Sequence, residues 1–408
     1  MPPLKATLAP LRLVIQGEFW DSQVYAGKLF LFGLMGHLVT IDWTRAVSEL
    51  RLPAGLRALA DAALLANDRL YQLVSQQSHD HPKSLGVMLD KFRALAKALQ
   101  GVEAAHEVNG RRSDNLLPFP HNDSEIHYHR LYVGSSAGLF SHGTEFGTRR
   151  SRDVVRYTDV PALDIAAGFS TMAQAAGSDG LFDIRIRDDV SRREKHLETR
   201  LSADACDSCE WAFGSVLATG YGNNVYLASF EGGRPSKEPR PRAQGAHARE
   251  RVIGVNEFFE TPTPTGQSCT WGARDKIYRY NDGRIEVIRY TPTTTRVREP
   301  MFQRVGALEL PQLLSIPPVV SARTAPFGSV IEHDEGLLIV PTIGHPFAIA
   351  GEPVSWRVFP RSRAYMNHLH VIYDDHIEII VFTHDYFADQ RTKLSGTEVA
   401  ITPPNRSR

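Results

Sequence analysis

The apolar positions of this chain fall into short, β-rich runs that meet in pairs across a tight turn. Leu29–Phe32 and His37–Trp43 flank Gly33–Gly36, and His129–Val133 and Leu139–Ser141 flank Gly134–Gly138. The same pattern returns around Gly177-Ser178-Asp179-Gly180, Gly220–Asn224, Asn281-Asp282-Gly283, Asp334-Glu335-Gly336 and Asp374-Asp375. Glycine, asparagine and aspartate are the residues that reverse a chain tightly, so each pair predicts a β-hairpin. Seven such hairpins are present, and from the second onward their turns lie roughly 40–60 residues apart, the period of a four-stranded propeller blade.

The gap between the first two turns is about 100 residues, too long for one blade. Within it the period changes from two to between three and four. Leu56, Leu59, Ala63, Ala66, Leu70 and Leu73 form one apolar seam, and Leu85, Met88, Phe92, Leu95, Leu99 and Val102 another. Pro53 stands where a proline suits the first turn of a helix. The spacing predicts two helices packed as an antiparallel hairpin. Two helices bury little by themselves, so the pair is expected to brace the propeller or to dock on a partner.

Some units also share sequence. Ser208-Cys209-Glu210-Trp211 precedes the fourth hairpin as Ser268-Cys269-Thr270-Trp271 precedes the fifth, and Phe213-Gly214-Ser215-Val216 returns as Phe327-Gly328-Ser329-Val330. The stretch Asp164–Gly168 through Asp179–Ile184 reads as a degenerate WD-type unit. On these residues the chain resembles the seven-bladed β-propeller superfamily in its WD-like or kelch-like form. The resemblance implies a mainly β fold: a seven-bladed β-propeller with an inserted antiparallel α-helical hairpin. Residues 1–43 are expected to form the first blade, 44–110 the helical insertion, and 111–408 the remaining blades. Leu11–Gln16 begins the first blade or completes the last, and Thr397–Thr402 is a candidate late strand. Trp43, Trp211, Trp271 and Trp356 are expected to be largely buried at blade interfaces.

The 408 residues are 42% hydrophobic and 23% charged, which excludes a disordered or collagenous chain. Lys plus Arg and Asp plus Glu are 46 each, so the overall charge lacks the basic excess of a dedicated nucleic-acid binder. Three cysteines, Cys206, Cys209 and Cys269, suit a reducing compartment rather than a disulfide framework. The first ten residues lack the apolar core of a signal peptide, and no apolar run reaches membrane-spanning length. A cytoplasmic protein without a membrane segment is expected.

Candidate chemistry is sparse. Gly134-Ser135-Ser136-Ala137-Gly138 matches a nucleophile elbow in letters, but a β run rather than a helix follows it. His127 with His129, and His368 with His370, alternate on predicted strands and so present paired imidazoles to one face. A metal would need a third ligand, and Cys206-x-x-Cys209 is half of a zinc knuckle without its partner. No metal and no cofactor is expected, and no residue is assigned to catalysis. The segment 231–251 is rich in Pro, Gly and Arg. Its Arg234, Lys237, Arg240 and Arg242, with Arg249 and Arg251, are the candidate contacts to a partner. The expected function is a non-catalytic protein–protein interaction scaffold or assembly subunit, with protein partners, not nucleic acid; a small-molecule ligand is left open. The alternative is a hydrolase or lyase at the propeller hub using Asp21, His127, His129, Asp179, His368 and His370.

Overall fold

A computed structural model describes residues 10–70, 82–100, 110–144, 154–186, 198–212, 215–220, 224–230, 249–254, 258–259, 268–273, 275–281, 283–291, 302–309, 313, 316–341 and 346–383. The chain divides into two compact units, Met1–Asn115 with Ile316–Ile401, and Leu116–Ser315 with Thr402–Arg408. Seven four-stranded antiparallel sheets are distributed between them, and the fold is the seven-bladed β-propeller.

The first unit holds three blades. One is β2 (Phe19–Tyr25), β3 (Lys28–Gly33), β4 (His37–Asp42) and β5 (Gly110–Asp114). The second is β22 (Val319–Ala325), β23 (Gly328–His333), β24 (Gly336–Pro341) and β25 (Phe347–Ala350). The third is β26 (Ser355–Val358), β27 (His368–Ile372) and β28 (His376–Val381), with β1 (Leu11–Gln16) as its fourth strand. β1 runs antiparallel to β28, Leu11 opposite Val381 and Gln16 opposite His376. The first blade is therefore not confined to residues 1–43: its fourth strand arrives at 110–114, and residues 11–16 complete the last blade. The reason lies in burial. Leu11, Leu13 and Ile15 alternate inward and need the apolar cover that Ile377 and Ile379 supply.

The second unit holds four blades in chain order. They are β6 (Asp123–His127), β7 (Arg130–Ser135), β8 (Gly138–Gly143), β9 (Val155–Thr158); β10 (Asp164–Gly168), β11 (Thr171–Ala175), β12 (Leu181–Arg185), β13 (Glu198–Ser202); β14 (Ser208–Ala212), β15 (Ser215–Gly220), β16 (Asn224–Phe230), β17 (Arg249–Gly254); and β18 (Ser268–Ala273), β19 (Lys276–Asn281), β20 (Arg284–Tyr290), β21 (Phe302–Glu309). The hairpins read from sequence are the second and third strands of each blade. Those strands are covered on both faces, so they carry near-continuous apolar runs. Thr397–Thr402 lies outside the described residues.

Between β4 and β5 the chain is helical: α1 (Trp43–Glu49), α2 (Ala54–Leu65) and α3 (Pro82–Leu99). Asp42 caps α1 by accepting the Arg45 backbone N–H at 2.9 Å. The expected first seam is interrupted at Ala66, and a new helical turn begins at Asn67. Asn67 is fully buried and ties this break to the last blade. Its side chain donates to the Ala63 carbonyl at 2.5 Å and accepts the Asn367 N–H at 2.9 Å. Leu59, Ala63, Leu64, Leu70, Phe92, Leu95 and Leu99 are buried in one cluster with Leu11, Leu13, Ile15, Ile377 and Ile379. The insertion is thus part of the core of the first unit. Trp43 is buried against it and donates to the Leu64 carbonyl at 3.0 Å. Trp211 and Trp271 are buried as expected, whereas Trp356 is half-buried and donates to Glu332 at 2.9 Å. No helix among the described residues is long and apolar enough to cross a membrane.

Candidate functional site

Within each unit the first strand of one blade lies beside the first strand of the next: β6, β10, β14 and β18 in the second unit, and β22, β26 and β2 in the first. Each such strand pairs with a neighbour in its own blade on one side only. Its other edge carries backbone groups that need partners. Side chains of the preceding strand supply them. Asp123, Glu125 and His127 alternate on β6 and so share one face. Asp123 accepts the Ile165 N–H at 3.1 Å, Glu125 accepts the Ala167 N–H at 2.5 Å, and His127 Nε2 donates to the Phe169 carbonyl at 2.7 Å. Asp164 on β10 accepts the Cys209 N–H at 2.8 Å, and Glu210 on β14 accepts the Gly272 N–H at 3.3 Å. The acids of the inner strands therefore lace blade to blade within the second unit.

The first unit uses an ion pair at the equivalent seam. Asp21 on β2 holds Arg357 of β26 through two oxygens, Nε to Oδ1 and Nη2 to Oδ2, the latter at 2.8 Å. Asp21 Oδ1 also accepts the Ser22 N–H at 2.7 Å, and Ser22 Oγ shares a hydrogen bond of 3.0 Å with His370 Nδ1. His368 stands two residues away on β27, its ring 5.9 Å from that of His370, and faces the Ala63 carbonyl. Both rings are buried completely, and burial pushes both pKa values down, that of His368 to about 3. For His370, the neighbouring His368 and Arg357 act in the same direction. Both are neutral imidazoles enclosed by protein.

Asp21, His368 and His370 are thus brought together as the hub reading expected, with Ser22 and Arg357 added, but the cluster is enclosed and Asp21 is committed to Arg357. His127, His129 and Asp179 belong to the second unit. His129 does not alternate with His127 on a strand. It sits in the β6–β7 turn at φ 60°, after Tyr128 at φ 45°, because the chain must reverse there. Ser136 lies in the β7–β8 turn between two strands, without the helix that an elbow requires. Among the described residues no group of three or more His, Cys, Asp and Glu is placed to hold a metal ion. Cys206 is buried, and burial pushes its thiol up to about 12. Arg234, Lys237, Arg240 and Arg242 lie outside the described residues. Arg249 and Arg251 stand on β17, opposite Phe230 and Ser229 of β16.

Two groups escape a sequence reading. Arg279 and Glu286 form a buried pair on β19 and β20 at 2.5 Å, with the Arg279 guanidinium 4.1 Å from the centre of the Phe259 ring. Burial raises the Glu286 pKa, but hydrogen bonds from Arg279 and Arg284 outweigh it and hold the carboxyl below its ordinary range. The second group is aromatic. Tyr128 and Phe169 sit at the first turns of successive blades, both at positive φ (45° and 56°), and both more than half exposed. A left-handed backbone at such residues costs about 1–2 kcal/mol each. The sequence signal was there in principle: an aromatic residue where a tight turn usually has glycine or asparagine.

No protein-family model matches the chain, and no curated protein matches it in sequence. Solved structures do. The Cps50 (Swd1) β-propeller domain of Myceliophteria thermophila aligns with a TM-score of 0.51 at 8% identity, over 90% of this chain and 97% of that one. The Neurospora crassa Pan2 WD40 domain aligns with a TM-score of 0.43 at 7% identity over 89% of each chain. A chain of the Mitotic Checkpoint Complex gives 0.43 at 10% identity, over 68% of this chain and 80% of that one. Likeness at such identities concerns the fold alone, that of a β-propeller.

Proposed function

We propose that this protein is a non-catalytic interaction scaffold, with protein partners, in a reducing and cytoplasmic setting. The observation that carries the reading is the division between what is enclosed and what is offered. Asp21, Ser22, His368 and His370 are buried together, and Asp123, Glu125, His127 and Asp164 are bonded into the inter-blade seams. What the first turns of two successive blades of the second unit offer is large and apolar: Phe169 is 60% exposed and Tyr128 55%. Exposed aromatic side chains on turns suit a docking surface, since they bring contact area with little loss of freedom. The basic residues Arg234, Lys237, Arg240, Arg242, Arg249 and Arg251 are a second proposed contact, to an acidic surface of a partner.

The test is quantitative co-purification from the native host of the wild type, a Y128D/F169D variant and a variant with the six basic residues changed to Ser. Partners recovered in stoichiometric amount with the wild type, and lost with one of the variants, are expected. Recovery of the bare chain at native concentration would sink the reading, as would turnover of a small substrate that H370Q abolishes without loss of fold.

A further inference from the structure

At one end of the three blades of the first unit the turns are tied into a continuous surface. The Leu34 N–H donates to the Glu18 carbonyl at 3.3 Å and the Gly17 N–H to the Asp375 carbonyl at 2.8 Å, so the β3–β4 turn, the β1–β2 connection and the β27–β28 turn meet. Ser355 Oγ donates to the Trp20 carbonyl at 3.0 Å, and the Gly351 N–H to the Glu335 carbonyl at 3.2 Å. These two bonds bring in the β25–β26 connection and the β23–β24 turn.

The apolar part of this surface is out of place for a turn. Gly33-Leu34-Met35-Gly36 closes through the Gly36 N–H on the Gly33 carbonyl at 2.9 Å, with Gly36 at φ 73°. Gly, Asn, Asp and Ser suit the tip of such a turn, and its geometry asks for neither Leu nor Met. Yet Met35 is 81% exposed and Leu34 38%, and Val354, next to Ser355, is 39% exposed. Exposed apolar side chains on a fixed support, rimmed by polar residues, mark an interaction site, and Met is enriched in interfaces.

The charge around them has one sign. The five connections contain Glu18, Asp334, Glu335, Glu352, Asp374 and Asp375 and no Lys or Arg. All six acidic residues are exposed, and among the described residues only Asp375 has an ion-pair partner, His376 at 2.6 Å. The arginines of the adjoining strands are engaged or set back from this end. Arg357 is held by Asp21, Arg12 pairs with Glu378 at 3.3 Å, and Arg112 Nη2 lies 3.3 Å from His37 Nδ1. Arg323 stands opposite Val330, inside the β22–β23 ladder. A carboxylate rim around an apolar patch selects a partner of opposite charge. A second copy of the chain is disfavoured, because a two-fold contact sets the same carboxylates against one another. A phosphate backbone meets the same repulsion.

We propose that this end of the first unit binds a segment of a partner protein in which Lys or Arg flanks an apolar residue, the apolar side chain on Leu34 and Met35 and the cations against Glu18, Asp374 and Asp375. The proposal rests on the scaffold reading and names a surface and the chemistry of its partner. Each contact residue is exposed, so its replacement tests binding and leaves the fold intact.

The experiment pans a randomised twelve-residue peptide display library on the full chain. Recovered peptides are measured by fluorescence anisotropy on wild type, L34S/M35S, E18Q/D374N and a control, D90N/D159N, which neutralises two exposed carboxylates elsewhere. A ten-nucleotide oligouridine is measured beside them. Expected are peptides that join Arg or Lys to an apolar residue, about tenfold weaker on L34S/M35S. They should be several-fold weaker on E18Q/D374N and in raised salt, unchanged on the control, with thermal midpoints at the wild-type value. Neutral or acidic peptides, equal loss on the control, no enrichment, tighter binding of the oligouridine, or a fall in the L34S/M35S midpoint that accounts for the lost binding would each overturn the proposal. Basic peptides insensitive to both site variants remove this surface and leave the scaffold reading standing. An absence of stoichiometric partners in the native co-purification removes the scaffold reading itself.

Discussion

The indole of Trp211 lies in the space that a side chain at Gly168 would fill. A Cβ built on Gly168 would approach three of its ring atoms at 2.5–2.7 Å, and Trp211 Nε1 donates to the Ala166 carbonyl at 2.8 Å. The β10–β13 and β14–β17 blades are packed by this contact, glycine against tryptophan. Gly168→Ala is expected to cost about 1–3 kcal/mol through overpacking. Urea unfolding followed by tryptophan fluorescence measures it, and an unchanged midpoint would contradict the contact.

Asp21 and Arg357 form the strongest polar link at the seam between the first and last blades. Asp21→Ala leaves the guanidinium without its bidentate partner. Loss of one member of such a pair costs about 3–5 kcal/mol. Replacing both, as D21A with R357M, should recover at least half of that loss. Chemical denaturation of the two single variants and the double closes the cycle, and additive losses would show that the pair is not coupled.

Acid should weaken this fold. His368, pushed down to about 3, and His370, lowered in the same direction, stay neutral in the folded chain where their unfolded counterparts take up protons. Below about pH 6.5 the unfolded state binds more protons, so stability falls with pH until the folded values are reached. At pH 5 the loss is about 2 kcal/mol for His368, and His370 adds to it in the same direction. Glu286, held low by its arginines, extends the loss below the ordinary carboxylate range. Unfolding midpoints measured from pH 8 to 4 should be flat above pH 7 and decline beneath it, and H368Q/H370Q should flatten the decline.

Phe92 is the test of the helical insertion. It is almost completely buried among residues of β1, β28 and the helices. Phe92→Ala is expected to destabilise by about 3–5 kcal/mol. Exchanging residues 53–105 for a short Gly/Ser linker uncovers Leu11, Leu13 and Ile15 and should yield aggregated chain. A soluble, cooperative deletion variant would mean that the helices are dispensable to the core they share.

The legible part of this fold was the middle of each blade. Leu181–Arg185 or Leu337–Pro341 announces itself because burial on both faces demands an unbroken apolar run, and Gly336 or Gly180 marks the turn. The flanking strands were hidden for the opposite reason. Gly110–Asp114 and Glu198–Ser202 are outer strands with polar sequences, and Asp123–His127 looks like a polar loop because its side chains bond to the backbone of the next blade. The surroundings of His368 and His370 were beyond reach, since they include Ala63 and Ser22, the latter 348 residues from His370 in sequence. The exposed ring of Phe169 gave no periodic signal, because it belongs to a turn.

The pairing of β1 with β28 has a mechanical side. Leu11 is opposite Val381, so the chain enters β1 and leaves β28 at the same end of the ladder. Tension applied through the segments before residue 11 and after residue 381 would load the hydrogen bonds one pair at a time, from that end inward, instead of sharing the load along six residues. The last blade would open like a zip at modest force, and the fibre-pulling trace should begin with a short, low peak before the blades that lack such a seam give way.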